Sequence, residues 1–283
     1  DRRQRQMCIR DREKLKAIDK KKYYLISNLE EIDSWIKDAE EAGEVAVDTE
    51  TSSLDPHQAD LIGISLSSKI GKACYIPVGH KSNKNINKDQ ALKKLKPLLE
   101  DPSIKKIGQN IKFDFIVLFK HGIKITSMED TMLMSYVLDS GKNRHNMDTL
   151  SDIHLGHKPI SFKDLVGTGK KEINFSFVDI EKAKDYAAED ADVTFRLYKK
   201  FNKSLKDEKM INIYETFEKP MIKILADMEI EGIKIDKEFL KILSLKFGKK
   251  IEKIQSEVFK ISKKKFNIAS PQQLGEILYN DLK

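Results

Sequence analysis

Val45-Ala46-Val47-Asp48-Thr49-Glu50-Thr51 reads as a short apolar strand that runs out into a loop carrying two acids. Side chains alternate along an extended segment, so Asp48 and Glu50 fall on the same side. Strand ends in open α/β sheets border the crevice where ligands bind. Two carboxylates held side by side repel, so folding them together calls for a cation or a proton between them. Alone, an Asp-x-Glu is common in ordinary turns; its weight depends on what surrounds it.

Working outward, Tyr23–Ile26 has strand character. Ser27 with Glu30 makes a capping box for a helix whose Ile32, Trp35, Ile36 and Ala39 share a face and which Gly43 ends. Downstream, Leu61–Leu66 and Ala73–Pro77 are strands separated by the turn formers Asp55-Pro56 and Ser67–Gly71, which predicts an antiparallel meander. After residue 87 the period becomes helical through Ala91, Leu92, Leu95, Leu98 and Leu99, before an apolar strand at Ile104–Ile107. Further helices are expected around 128–138, 146–155 and 179–205. Strands and helices alternating in this way define an α/β domain with a mixed sheet.

Near residue 207 the composition shifts. Met221, Ile224, Leu225 and Met228 form one helical stripe, and Phe239, Leu243, Phe247, Ile251, Ile254, Val258 and Ile261 a longer one, with Glu231-Gly232 turning the chain between them. Residues 207–283 are therefore expected to be a helical hairpin with extra helix, packed within a larger parent protein. Residues 1–22 are charged and read as a linker whose arginines could touch DNA. The chain opens without Met and closes on Leu282-Lys283 inside a helical pattern, which suggests a fragment of something longer.

The chain has 283 residues and a formal charge of +7 at pH 7, most of it from Lys scattered among acids. That excess suits a polyanionic partner only weakly, because an evenly spread lysine bias would give the same number. Cys8 and Cys74 form no CxxC pair, so neither a disulfide framework nor a zinc knuckle is expected. No apolar run of membrane length and no signal-like segment occurs, which implies a soluble protein of a reducing compartment.

Two more acidic stretches join the first. Gly108-Gln109-Asn110-Ile111-Lys112-Phe113-Asp114 places Asp114 at another strand end, where a helix begins. In Tyr186-Ala187-Ala188-Glu189-Asp190-Ala191-Asp192, the i, i+4 spacing sets the Tyr186 hydroxyl and the Asp190 carboxylate on one helix face, with small residues alongside. Each stretch alone has a bland reading, as a helix N-terminal acid or a solvated helix. Together they converge on one cleft. Oxygen ligands without His or Cys indicate hard cations such as Mg²⁺ or Mn²⁺, which serve phosphoryl chemistry in pairs about 4 Å apart.

DTET, GQNIKFD and YAAEDAD resemble the three exonuclease motifs of bacterial family A DNA polymerases. The likeness continues through Leu98–Pro102 and Asp130–Leu133 and covers roughly residues 23–283. It implies an RNase H-like mixed sheet flanked by helices over 23–206, followed by an all-helical partial thumb segment over 207–283. It also implies the class of exonucleases with four acids and a tyrosine, since the place a sister class gives to His is Asp185. By this resemblance Asp48, Glu50 and Asp190 hold one metal, Asp48 and Asp114 a second, and Tyr186 with Glu50 orients the water. Leu54 and Phe162 flank the last bases of a frayed strand, and Thr51, Gln109, Asn110, Lys112 and Arg144 lie near its sugars and phosphates. Phe113 stands where many relatives carry Tyr, which removes a hydroxyl and leaves the ligands intact.

The activity so implied is proofreading: a two-metal 3′→5′ exonuclease releasing nucleoside 5′-monophosphates from single-stranded or frayed DNA 3′ ends, in replication and repair. The expected setting is bacterial cytoplasm at the nucleoid, as a monomer joined to the remainder of a polymerase chain. The polymerase's own catalytic acids are not visible, whereas Phe266–Leu274 resembles the thumb-ward segment, with Ser270-Pro271 as N-cap and N1. The rivals are an RNase D-like exoribonuclease, which uses the same five residues, and a non-catalytic DNA-binding module. Gly167-Thr168-Gly169-Lys170 lacks the first glycine of a phosphate loop, because position 164 is Asp, and reads as a mobile surface loop. His154 and His157 could share a helix face but have no third zinc ligand. Glu189 and Asp192 read as solvated helix acids.

Overall fold

A computed structural model of the chain describes residues 18, 22–82, 84–169 and 172–282. The linker reading of residues 1–22 therefore lies almost wholly outside the described residues, as does Lys170 of the glycine loop. The described chain divides into two compact units, one running to Glu231 and the other Gly232–Lys283.

The first unit is a six-stranded mixed sheet in the order β1-β4-β3-β2-β5-β6, from β1 (Tyr23–Leu25), β2 (Glu44–Thr51), β3 (Leu61–Lys69), β4 (Lys72–Pro77), β5 (Lys105–Gly108) and β6 (Met128–Asp130). The meander β2-β3-β4 is antiparallel as expected, and β1, β5 and β6 join in parallel. Alternation along β2 divides the core. Val45 and Val47 pack with Ile32, Trp35 and Ala39 of α1 (Leu29–Ala42), with Leu95 of α2 (Lys88–Glu100) and with Val117 of α3 (Ile111–Phe119). Ala46, of opposite parity, packs with Val193 and Leu197 of α7 (Ile180–Asp207). Between them come α4 (Thr131–Asp139), α5 (Met147–Leu155) and α6 (Phe162–Val166), and past α7 come α8 (Ile211–Ile213), a π turn at Tyr214–Glu218 and α9 (Lys219–Glu231).

Four local expectations are corrected. The capping box at α1 sits one residue on: Asn28 is the N-cap, its Oδ1 accepting from Glu31 N (3.0 Å), while Glu31 accepts from Ser27 N (2.9 Å). Asn caps as well as Ser, and Glu31 rather than Glu30 reaches back. The segment expected to start a helix at 128 is strand β6 through Asp130, because its backbone completes a parallel edge against β5 before Asp130 caps α4. β2 does not end at Val47; β3 keeps pairing with it through Thr51, so Asp48 and Glu50 lie on the strand itself. On α9 the inward residues are Ile222, Ala226 and Ile230, while Met221, Ile224, Leu225 and Met228 are exposed. An i, i+4, i+8 row of smaller contacts, one position off the predicted stripe, fits the sheet unit.

The described elements of the second unit are all helical: α10 (Lys237–Ser262), α11 (Pro271–Glu276) and a π turn at Ile277–Asp281. Ser270 caps α11 through Gln273 N with Pro271 in the first turn. On α10, Phe239, Phe247, Ile251, Ile254 and Ile261 are exposed. No helix among the described residues is long and apolar enough to cross a membrane.

Candidate active site

The end of β5 opens the site. β2 pairs with β5 only as far as Ala46↔Ile107, and beyond it Asp48 and Glu50 are flanked by β3 alone, opposite Ser65 and Gly63. A register shift at Glu50/Thr51 marks a bulge there, a common device for re-aiming strand side chains beside a site. Gly63 leaves room for Tyr75 next to Glu50, since a Cβ at 63 would stand 2.2 Å from the Tyr75 hydroxyl. In phase with Ala46, the two acids face α7.

α7 comes close because its inward residues are small. Ala183 and Ala187 pack on Ile62 and Tyr75, and Ala188 and Ala191 on Tyr23 and Ala73. That approach carries Asp190 to Asp48 and Glu50, where one oxygen of each lies within 4.8 Å of the others. Burial and the charge of Asp190 raise the hydroxyl of Tyr186, one turn earlier on the same helix, above its ordinary value. Asp114, in the first turn of α3, is buried beside β2 and accepts from Thr49 N (2.9 Å) and Thr49 Oγ1 (2.6 Å). Three of the four acids thus meet within ligand distance, and the fourth is held by the residue between the first two.

Electrostatically the cluster is starved of partners. Glu50 Oε1 is buried with no hydrogen-bond partner. Burial pushes Asp48 up to about 6. Burial, then the charge of Asp48, then Asp190 and Asp114, raises Glu50 well above its ordinary range. Asp190 and Asp114 are raised by burial first and by Asp48 second, partly offset by Tyr186 for one and Thr49 for the other. A buried carboxylate left without donors costs stability unless it is protonated or meets a cation. The set is all oxygen, carries an orphaned buried acceptor and spans a few ångströms, and it therefore fits a hard divalent cation.

Asp48, Glu50, Asp190 and Tyr186 line a cavity of about 1250 Å³, and Asp114 lies just outside its lining. Leu54 stands on its rim, 92% exposed, and Phe162 faces it, stacked on Phe175 with centroids 6.1 Å apart and tilted against Tyr186. Thr51 and Phe113 also line it. The other strand-contact candidates lie outside the lining. Gln109 donates to His145 O (2.7 Å) and accepts from Thr131 Oγ1 (2.5 Å), Asn110 adopts φ 63 at the start of α3, Lys112 is ion-paired with Glu229, and Arg144 is exposed. Sequence reasoning missed Asn146, Asn174 and Phe175, which complete the wall; nothing local distinguishes them, since they come from the α5 N-cap and a 3-10 turn at Phe175–Phe177.

Two readings are overturned. Glu189 and Asp192 are not solvated: both are fully buried and partnered. Glu189 lies 2.8 Å from His157 Nε2 and accepts from Ile160 N (2.7 Å); Asp192 accepts from Tyr23 OH (2.8 Å), Gly71 N (2.7 Å) and Arg196 Nε (3.0 Å). Strands and loops close on the small-residue helix from both flanks and reach them. His154 and His157 share no helix face, because α5 ends at Leu155 with Gly156 in the left-handed region. His154 packs edge-on against Phe201 instead.

A mixed α/β sheet with a carboxylate cluster over its central strand, walled by aromatic side chains, defines a nuclease-like domain of RNase H-like architecture. A family model described as 3′-5′ exonuclease matches residues 23–206, and the chain belongs to this family, the hydrolytic 3′-5′ exonuclease domain of family A DNA polymerases. The chain is 41% identical to DNA polymerase I of Rhizobium leguminosarum over 93% of its own length and 28% of that protein's. It therefore spans little more than a quarter of the curated relatives it matches. A solved POL domain of Pol1 from M. smegmatis, in complex with DNA primer-template and dNTP, superposes with a TM-score of 0.68 at 19% identity, covering 89% of this chain and 40% of that one. A solved apo form of a nuclease superposes at 0.59 and 22% identity, covering 76% and 96%. At such identities the two structures bear on the fold.

Proposed function

We propose that this chain removes nucleotides one at a time from the 3′ end of a DNA strand, as the proofreading exonuclease of a polymerase. The observation that carries this is the orphaned Glu50 oxygen in a cluster of buried and half-buried carboxylates lining a cavity large enough for terminal nucleotides. Asp48, Glu50 and Asp190 would hold one divalent cation, Mg²⁺ or Mn²⁺, and Asp48 with Asp114 a second. When bound, such ions lower the pKa of a water and neutralise charge on the leaving oxygen.

The side chains supply the rest. The Tyr186 hydroxyl and Glu50 orient the attacking water; its oxygen bonds to the last phosphorus as the bond from that phosphorus to the 3′ oxygen breaks and a proton passes to that oxygen. A nucleoside 5′-monophosphate and a strand one residue shorter, with a free 3′ hydroxyl, are the products. Leu54 and the Phe162–Phe175 pair hold splayed bases by apolar contact and stacking, which any base satisfies. Thr51, Gln109, Asn110, Lys112 and Arg144 contact sugar and phosphate as the strand enters. Lys112 has to leave Glu229 to do so.

In this reading residues 23–206 are the exonuclease domain, 207–283 the helical start of a polymerase region and 1–22 a linker. The protein works as a monomer in the bacterial cytoplasm at the nucleoid. An RNase D-like preference for RNA is the second reading, because the site chemistry is common to both; identity to a DNA polymerase over 93% of the chain favours DNA. Matched 5′-labelled single strands of DNA and RNA, incubated with Mn²⁺, separate the two. The expected result is a ladder of DNA products shortened from the 3′ end that Asp48→Ala abolishes; a strong RNA preference contradicts proofreading. If wild type and Asp48→Ala are equally inert and both bind single strands, the domain is a non-catalytic binding module.

A further inference from the structure

The family match ends at residue 206, yet the compact unit continues to Glu231. Within that extension Tyr214 is fully buried, among Ala46, Ile107, Leu197 and Tyr198. Its π turn, Tyr214–Glu218, is a helical irregularity of the kind that gathers at functional positions. The hydroxyl is used twice: it accepts from Asp130 N (2.9 Å) and donates to Glu129 Oε2 (3.0 Å). Glu129 Oε1 in turn pairs with Lys219 Nζ (2.7 Å), which also pairs with Glu215 (3.0 Å). Three residues of the extension thereby fix the last two residues of β6.

What β6 holds next is the start of α3. Asp130 accepts from Asn110 N (3.1 Å) and Ile111 N (3.0 Å) as well as from Met132 N (2.8 Å), so one carboxylate caps α4 and ties down α3. Asn110 makes no side-chain cap of its own and sits in the left-handed region, so the tether comes from Asp130. Asp114 comes four residues after Asn110, in the first turn, and reaches Thr49 between Asp48 and Glu50. α9 grips the same helix, Ala226 and Ile230 packing in one core with Phe113 and Phe115, and Glu229 pairing with Lys112.

We infer that Tyr214, braced by Glu129 and Lys219, is a positioning residue for Asp114: through Asp130 it sets where α3 begins, and so where the fourth acid stands relative to Asp48. The exonuclease site then depends on a segment that lies beyond the C-terminal limit of the exonuclease domain, and a movement of that segment is transmitted to the acids. The inference rests on the nuclease reading of the acid cluster.

The test uses the whole 283-residue chain with Tyr214→Phe, which keeps the ring and removes both hydrogen bonds. On a labelled single strand, kcat per folded molecule should fall about 10–100-fold with KM for DNA unchanged. The Mn²⁺ concentration for half-activation should rise about 10-fold, and excess Mn²⁺ should restore much of the rate. Lys219→Met leaves the hydroxyl bonds intact and loosens Glu129, so it should shift both quantities the same way by less, and it decides the matter if the Phe variant folds poorly. Melting curves in chelator fix the folded fraction. Unchanged kcat and unchanged Mn²⁺ half-activation in both variants, whatever the loss in stability, overturn the inference. If the wild type degrades neither DNA nor RNA, the nuclease reading has failed by itself. Calorimetric titration with Mn²⁺ alone still decides the positioning role: weaker binding in Tyr214→Phe supports it, and equal binding overturns it.

Discussion

Glu189, Asp190 and Asp192 occupy three of four consecutive positions on α7 and all three are buried, yet the chain treats them in opposite ways. Around Glu189 and Asp192 it gathers donors: a histidine and a backbone N–H for one, a tyrosine, a glycine N–H and an arginine for the other. Around Asp190 it gathers two more carboxylates, and one of them, Glu50, has a buried oxygen with no hydrogen-bond partner among the described residues. Burial alone does not mark a functional acid. What marks it is burial with the partners withheld, since such a group opposes folding by itself and is relieved only by a ligand of opposite charge.

The contrast can be broken most sharply at Asp192. Asp192→Ala strands the Arg196 guanidinium and the Tyr23 hydroxyl, and urea unfolding should show a loss of about 3–5 kcal/mol, with nuclease activity per folded molecule retained. A neutral result would mean that the donors around Asp192 are incidental. Asp190→Asn should do the reverse: activity falls at least ~100-fold, about 2.7 kcal/mol of barrier, while the melting temperature in chelator stays the same or rises. A large stability loss there would place Asp190 with its neighbours.

pH gives the next effect in size. The folded value of Asp48, about 6, is above its ordinary 3.8. The ionised carboxylate is thus less favourable in the fold than in the unfolded chain. In chelator the stability contributed by protonated Asp48 is full below about pH 4 and is lost as pH rises through about 6, on the order of 3 kcal/mol relative to Asp48→Asn. Saturating Mn²⁺ should flatten the difference. At the small end, Asn28→Ala removes a satisfied cap far from the cluster and should cost about 1 kcal/mol in thermal unfolding without touching activity.

The sequence was informative where a period and a chemistry coincide. The parity of Asp48 and Glu50, the one-turn spacing of Tyr186 and Asp190, and the alternation from meander to helices all come from local rules, and the structure keeps them. It was silent where the deciding partner is distant. Gly71 lies 121 residues from Asp192 and Tyr23 lies 169 away, so no local pattern separates a satisfied acid from a starved one. Met128–Asp130 becomes a strand only because β5 offers an edge, and the inward row of α9 is chosen by the surface it meets. Asp130, which ties α3 to α4, resembled only a motif residue until both helices were in place.

The central claim, that the chain holds Asp48, Glu50 and Asp190 together for a cation, is tested most directly by the melting temperature in chelator and at rising Mn²⁺, for wild type and Asp48→Ala. The account predicts a wild type that gains several degrees with Mn²⁺ in a saturable way, as expected when a ligand binds only the folded state. It also predicts an Asp48→Ala chain that starts at least as stable in chelator and gains little. A wild type indifferent to Mn²⁺, or an equal gain in both, would contradict it.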